Sequence, residues 1–386
     1  MKIGIVVITY NRLESLKRCL KVLENATYPN STDLIISIDK SDTDIVEKFA
    51  DSYHWSYGKY AAIKHEKNLG LRKHVLSIGN HLDEYDALVV LEDDITVAPS
   101  FIYYTEQCVA KYCNDDRIAG ISLYQFNISY QTRLPFEPLK AEYDVYMMNC
   151  AMSWGQVWMR NQWKDFIEWY KTHNEDFKIQ TLPQIINLWR NKSWLKYHTR
   201  YCIENNKYFV FPYYALATNN SEVGTHVNNS DTQFQTIMQG GLKKDYILPS
   251  FEECIIKYDG FFEPKFLGKV LNISDDELCV NFYGYKNPVL FKRYVLTSIP
   301  MKYKIVKTYG LTLHPFELNI LYDNKGRGVY LYDTTTTDKQ PYQNKVDYYE
   351  YFYKDALSKV FSIIGAPTFA KYVFSKFFSR IKSKTK

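Results

Sequence analysis

ALVVLEDDITVAPSF, residues 87–101, decides the fold. Ala87–Leu91 is an unbroken apolar run, the pattern of a strand covered on both faces. It runs straight into Glu92, Asp93 and Asp94. Three adjacent carboxylates at the end of a buried strand repel one another, and desolvation raises the cost of keeping them ionised. A divalent cation removes that cost, and oxygen ligands that also meet a diphosphate suit Mg²⁺ or Mn²⁺. An acidic turn in bulk solvent is the plainer alternative. Five apolar residues before the acids, and Ile95-Thr96-Val97 after them, argue against it.

Working outward, the same texture repeats. Ile3–Thr9 is a second apolar, β-branched run, and it ends in Tyr10-Asn11-Arg12. Asn11 with Glu14 three residues later has the capping-box pattern, followed by Leu13, Leu16, Leu20 and Leu23 at helical spacing. Leu34–Ile38 is a strand ending at Asp39, Ala61–His65 a weaker one, and Leu71–Leu82 a helix. Pro99 sits where a helical start tolerates it, Phe101–Tyr112 continues as a helix, and Ile118–Leu123 is a fifth strand. Strand and helix in alternation predict an α/β fold with a parallel sheet covered on both sides. Ligands of such sheets bind beyond the carboxyl ends of the strands, where strand order reverses. That rule selects Thr9–Arg12, Asp39–Asp42 and Glu92–Asp94.

From Tyr143 to Thr225 the chain is rich in tryptophan and tyrosine, with helical patches at Gln162–Tyr170 and Leu195–Ile203. Beyond Gly240 short strands are expected at Val289–Leu296, Lys304–Leu311 and Val329–Tyr332, with a turn at Asp323–Gly326. The chain therefore divides into a catalytic domain over 1–242 and a smaller, mixed and mostly β region over 243–386. The 35 tyrosines and 22 phenylalanines are read as compositional bias, with a binding role reserved for single aromatics near a site. A net charge of +5 from scattered lysines does not by itself point to nucleic acid, and no nucleic-acid partner is expected. Seven isolated cysteines carry no zinc or disulfide pattern and point to a reducing compartment. No segment approaches the roughly 20 apolar residues that span a bilayer, so a cytoplasmic location is expected.

ITYNR at 8–12, SID at 37–39 and VVLEDDITVAPSF at 89–101 together resemble the glycosyltransferases of the GT-A fold. The likeness is to the animal N-acetylglucosaminyltransferase I type and to bacterial family 2-like enzymes of surface polysaccharide synthesis. It continues in order through SLY at 122–124, SWGQVWM at 153–159 and GTH at 224–226, covering residues 2–240. The resemblance implies transfer of a sugar from a nucleoside diphosphate donor, UDP above all, to a saccharide or lipid-linked saccharide. It implies that Thr9, Tyr10, Asn11 and Arg12 line the nucleotide pocket and that Asp39 meets the base or ribose. Asn68 and Arg72 would close the pocket, Arg72 offering its planar fork to phosphate. Asp94 would ligate Mn²⁺ or Mg²⁺, Asp93 would touch ribose or metal, and Glu92 would contact the donor sugar. His226, on a loop that closes over the diphosphate, would be a second metal ligand. Trp154 would lay its face on the sugar, with Gly155 letting backbone approach closely, while Trp158 is read as core.

The sequence also departs from the pattern. Inversion at the anomeric carbon needs a carboxylate base within reach of the acceptor hydroxyl. Where the resembling enzymes place an Asp beside a tryptophan, this chain has Lys192-Ser193-Trp194-Leu195. Glu222 is the first substitute, ahead of Asp165 and Glu175. The missing acid keeps open a non-catalytic binder on the same scaffold. Nucleotidyl transfer ranks lower, because ITYNR lacks the glycines of a triphosphate-binding loop. At the C-terminus, Val373, Phe374, Phe377, Phe378 and Ile381 oppose Lys371, Lys376, Arg380 and Lys382. A basic amphipathic helix of this kind fits either an anionic membrane surface, the inner face of the plasma membrane here, or the protein's own body.

Overall fold

The computed structural model describes residues 1–220, 234–342, 345–353, 365–371 and 374. The chain begins β1 (Ile3–Thr9), α1 (Leu13–Glu24), β2 (Asp33–Ile38), α2 (Ile45–Ser52), β3 (Tyr60–Lys64), α3 (Leu71–Ile78). It continues β4 (Ala87–Glu92), β5 (Ile95–Val97), α4 (Phe101–Tyr112), β6 (Ile118–Ser122), β7 (Val145–Met148), β8 (Gln156–Met159). Next come α5 (Arg160–Thr172), α6 (Gln184–Leu188), α7 (Trp194–Glu204), β9 (Tyr208–Pro212), β10 (Ala217–Asn219) and β11 (Lys257–Tyr258). The C-terminal part holds α8 (Leu267–Leu271), β12 (Leu278–Val280), β13 (Tyr294–Thr297), β14 (Tyr303–Tyr309), α9 (Leu318–Leu321), β15 (Val329–Thr337) and α10 (Lys345–Tyr353).

Nine strands form one sheet in the order β11-β7-β9-β6-β8-β4-β1-β2-β3. β1 pairs in parallel with β2 on one side and β4 on the other, and β2 pairs in parallel with β3. The chain thus winds outward from β1 in one direction and returns to its other flank with β4. The switch point lies between β1 and β4, whose carboxyl ends carry Thr9–Arg12 and Glu92–Asp94. β8 enters antiparallel between β4 and β6, so the fifth expected strand joins the sheet across an insertion.

The continuous apolar strands follow from burial on both faces. Along β1, Ile3, Ile5 and Val7 meet α1, α2 and α4 through Leu16, Leu20, Val46 and Phe101. Val6 and Ile8 face the opposite layer, with Val75 of α3 and Trp163 and Phe166 of α5. Trp158 of β8 stacks on Trp163 with ring centroids 3.7 Å apart, in keeping with its reading as core. The tyrosines behave the same way: Tyr104, Tyr112, Tyr146, Tyr197, Tyr208 and Tyr258 are among the largest fully buried side chains. Most of the aromatic wealth therefore serves packing.

Several local expectations need correction. Helix α1 starts at Leu13 with Arg12 at its N-cap and no side-chain cap bond, so Asn11 and Glu14 form no capping box. The backbone at Arg12 stays non-helical while its side chain reaches the acids after β4. Helix α3 ends at Ile78, and Gly79–Asp83 tightens into a 3₁₀ turn. Pro288–Leu290 is another 3₁₀ turn, and the strand expected from Val289 begins only at Tyr294, since the Val289 N–H is taken by the capping Asn287 side chain. The threonine run 334–337 is the end of β15.

Beyond residue 242 the chain wraps α4, with Tyr112 Oη donating to the Pro249 carbonyl at 2.7 Å. It then adds β11 to the large sheet alongside β7. A second sheet, β12-β13-β15-β14, follows. Among the described residues no helix is long and apolar enough to cross a membrane. Residues 366–371 are helical, but most of the basic amphipathic tail lies outside the described residues.

Candidate functional site

The carboxyl ends of β1 and β4 meet through hydrogen bonds. Thr9 Oγ1 donates to Asp93 at 2.8 Å. Arg12 reaches across with both terminal nitrogens: Nη1 donates to Asp94 at 3.0 Å and Nη2 donates to Asp93. Asp93 is buried, while Glu92 and Asp94 are partly exposed. Burial pushes the Asp93 carboxyl up to about 6, against the opposing pull of Arg12 and Thr9. Burial, then Asp94 and Asp93, raise Glu92 to about 8, with Arg12 opposing. Burial works against the Arg12 charge, yet the two aspartates hold its pKa above the ordinary value. The acids after β4 are therefore tied to the first loop, Asp93 and Asp94 through one guanidinium.

At the end of β2, Asp39 is buried and accepts three backbone N–H groups. Oδ1 takes Lys40 at 3.0 Å and Leu69 at 2.8 Å, and Oδ2 takes Gly70 at 2.9 Å. Gly70 sits at φ +73 and opens α3, so an anion is placed where the helix dipole favours one. Asn68 ties down the same corner by donating to the Lys40 carbonyl at 2.8 Å. Asp39→Ala should cost at least about 2 kcal/mol in the nucleotide-free protein, since even one hydrogen bond to a charged group is worth about 1.5–3 kcal/mol. Urea unfolding of the two proteins would check it; equal midpoints refute the clamp. Arg72 lies over the Tyr197 ring at 5.0 Å and donates to the Asn174 carbonyl at 3.4 Å, so its fork rests against α7. Tyr10 and Asn11 are exposed on the loop after β1.

The Trp154-Gly155 turn directly precedes β8 and packs on Phe234. Trp154 meets Tyr124 edge-on at 5.0 Å and Phe234 at 5.3 Å. Trp194, by contrast, is buried against Trp158, so the Ser193-Trp194 stretch begins a core helix. Glu222 and His226 lie outside the described residues. Among the described residues no group of three or more His, Cys, Asp or Glu side chains could hold a metal ion.

Sequence reading singled out neither Thr96 nor Asn220. Asn220 donates to the Asp94 carbonyl through its backbone N at 2.8 Å and through Nδ2 at 2.9 Å. The two residues lie 126 positions apart, so no local pattern announces the contact.

The large, mostly parallel sheet with a polar switch point and acids after β4 agrees with the α/β fold class expected from the sequence. Residues 4–147 match the model for glycosyl transferase family 2. No curated protein matches the chain. Among solved structures, S. aureus TarS 1–349 in complex with UDP-GlcNAc is similar at 15% identity and a TM-score of 0.38, over 58% of this chain and 60% of that one. A mannosyltransferase from Pyrobaculum calidifontis, in complex with GDP-Man and Mn²⁺, is similar at 12% identity and a TM-score of 0.30, over 43% and 46%. This chain thus spans less than two thirds of either structure's length.

Proposed function

We propose that this protein transfers a sugar from a UDP-linked donor to a saccharide or lipid-linked saccharide acceptor, with inversion and with a divalent cation, in bacterial surface polysaccharide synthesis. The observation that carries the reading is the joining of the β1 loop to the acids after β4 through Thr9 and Arg12. A donor diphosphate at the switch point would lie between the two.

The acids fit a cation. One guanidinium pairs with Asp93 and Asp94, and burial raises Glu92 and Asp93, so added positive charge would favour their ionised forms. Mg²⁺ and Mn²⁺ take one or two protein carboxylates and complete their shell with substrate phosphates and water, so a larger protein cluster is not required. Asp94 would hold the ion, with His226 as the further ligand. Bound there, it would supply Lewis-acid neutralisation of the departing diphosphate. Arg12 pairs with both Asp93 and Asp94. Trp154 offers an aromatic face beside the donor sugar. Glu222 is the carboxylate assigned to take the acceptor proton.

Melting the full chain with UDP, with Mn²⁺ and with both tests the reading. Ligand at about 100 times its Kd should stabilise by roughly 2.7 kcal/mol, and the pair should exceed either alone. No shift with UDP in any combination refutes it. Release of free sugar from the donor then separates a transferase from a binder.

A further inference from the structure

Asp94 sits where the chain leaves one sheet for another. Glu92 is the last residue of β4, which β1 and β8 hold from both sides. Asp93 keeps a tie to the large sheet, its N–H donating to the Ile8 carbonyl at 3.1 Å. Ile95 begins β5, whose partner is β10 in a separate two-stranded ribbon. The orientation of the Asp94 peptide therefore depends on the ribbon, and Asn220 directly follows β10.

We infer that Asn220 is a positioning residue that aims Asp94 at the diphosphate-bound cation; this rests on the metal reading proposed above. Two donors of Asn220 converge on one oxygen, the Asp94 carbonyl, at 2.8 and 2.9 Å. The Asn220 amide is itself oriented, with its nitrogen 3.0 Å and its oxygen 3.1 Å from Thr96 Oγ1. On the other side Arg12 Nη1 holds the Asp94 carboxylate at 3.0 Å. Side chain and main chain of Asp94 are thus each held, by a residue of the first loop and by the residue that follows the ribbon. Groups that orient a metal ligand without touching the metal commonly change metal affinity by about 10–100-fold.

The test is Mn²⁺ affinity of the full chain at saturating UDP, read from the paramagnetic resonance of free Mn²⁺, without turnover. Asn220→Ala keeps the backbone donor and loses the amide. It is expected to weaken Mn²⁺ binding at least about 10-fold, with metal-free UDP affinity and melting temperature as in the wild type. Thr96→Val, which removes the hydroxyl that orients the amide, should weaken Mn²⁺ in the same direction by less. Wild-type Mn²⁺ affinity in Asn220→Ala overturns the assignment. An equal loss of metal-free UDP affinity also overturns it, since that marks a general disturbance of the pocket. A wild-type chain that binds UDP but no Mn²⁺ removes the metal reading itself, and the role of Asn220 with it.

Discussion

Asp94→Ala should abolish Mn²⁺-dependent donor binding and cut donor turnover by at least about 100-fold, while the fold survives. The size follows from the role: Lewis-acid stabilisation of a leaving diphosphate is worth several kcal/mol, and about 2.7 kcal/mol is a hundredfold. Survival of the fold follows from the geometry. The Asp94 side chain is 21% exposed, so part of the pair is already open to water and its loss is cushioned by solvent. Arg12 keeps its second partner, Asp93, so no guanidinium is left buried and unpaired. Asp93→Ala would be a poorer experiment, because it strips partners from both Thr9 and Arg12 inside the cleft. Donor turnover at the wild-type rate in Asp94→Ala, with a normal melting curve, would show that the cation assignment is wrong.

The sheet was legible because burial on both faces leaves an unmistakable trace, a run such as Val89-Val90-Leu91 with no polar interruption. The switch point was legible for a related reason: polar residues directly after such a run must lie at a strand end. What the sequence did not show were contacts made at long separation by ordinary polar residues. Asn220 reads as one of two adjacent asparagines, and only the ribbon of β5 and β10 brings it to Asp94. Asp39 reads as a ligand contact, yet its two oxygens already meet the amides of Lys40, Leu69 and Gly70, because a helix must start beside it. The capping box at Asn11 failed for an electrostatic reason. Arg12 is drawn toward two carboxylates that no helical window around it contains, and the helix starts after it. The inserted β8 was invisible as topology, since QVWM reads equally as a central strand of either direction.

Gly155→Ala should be the most damaging of the small substitutions near the site, costing about 3 kcal/mol and roughly 4 °C in melting temperature for a chain of this size. Two costs combine. Gly155 lies at φ +85, where an L side chain costs about 1–2 kcal/mol. An added Cβ would also stand 2.6 Å from Ala217 Cβ and 3.2 Å from Leu123 Cβ, and overpacking of this kind costs about 1–3 kcal/mol. Gly70→Ala separates the two, because at φ +73 its nearest neighbour would be Asn68 Oδ1 at 4.0 Å, leaving strain alone. The position matters for function because Ala217 opens β10. Any movement that relieves the clash displaces the ribbon and, through Asn220, the carbonyl of Asp94. Donor affinity with Mn²⁺ should therefore fall in Gly155→Ala, and should hold in Gly70→Ala once both are measured below their melting ranges. If Gly155→Ala melts with Gly70→Ala and binds donor as the wild type does, the turn does not bear on the ribbon, and Trp154-Gly155 is a surface feature of the cleft.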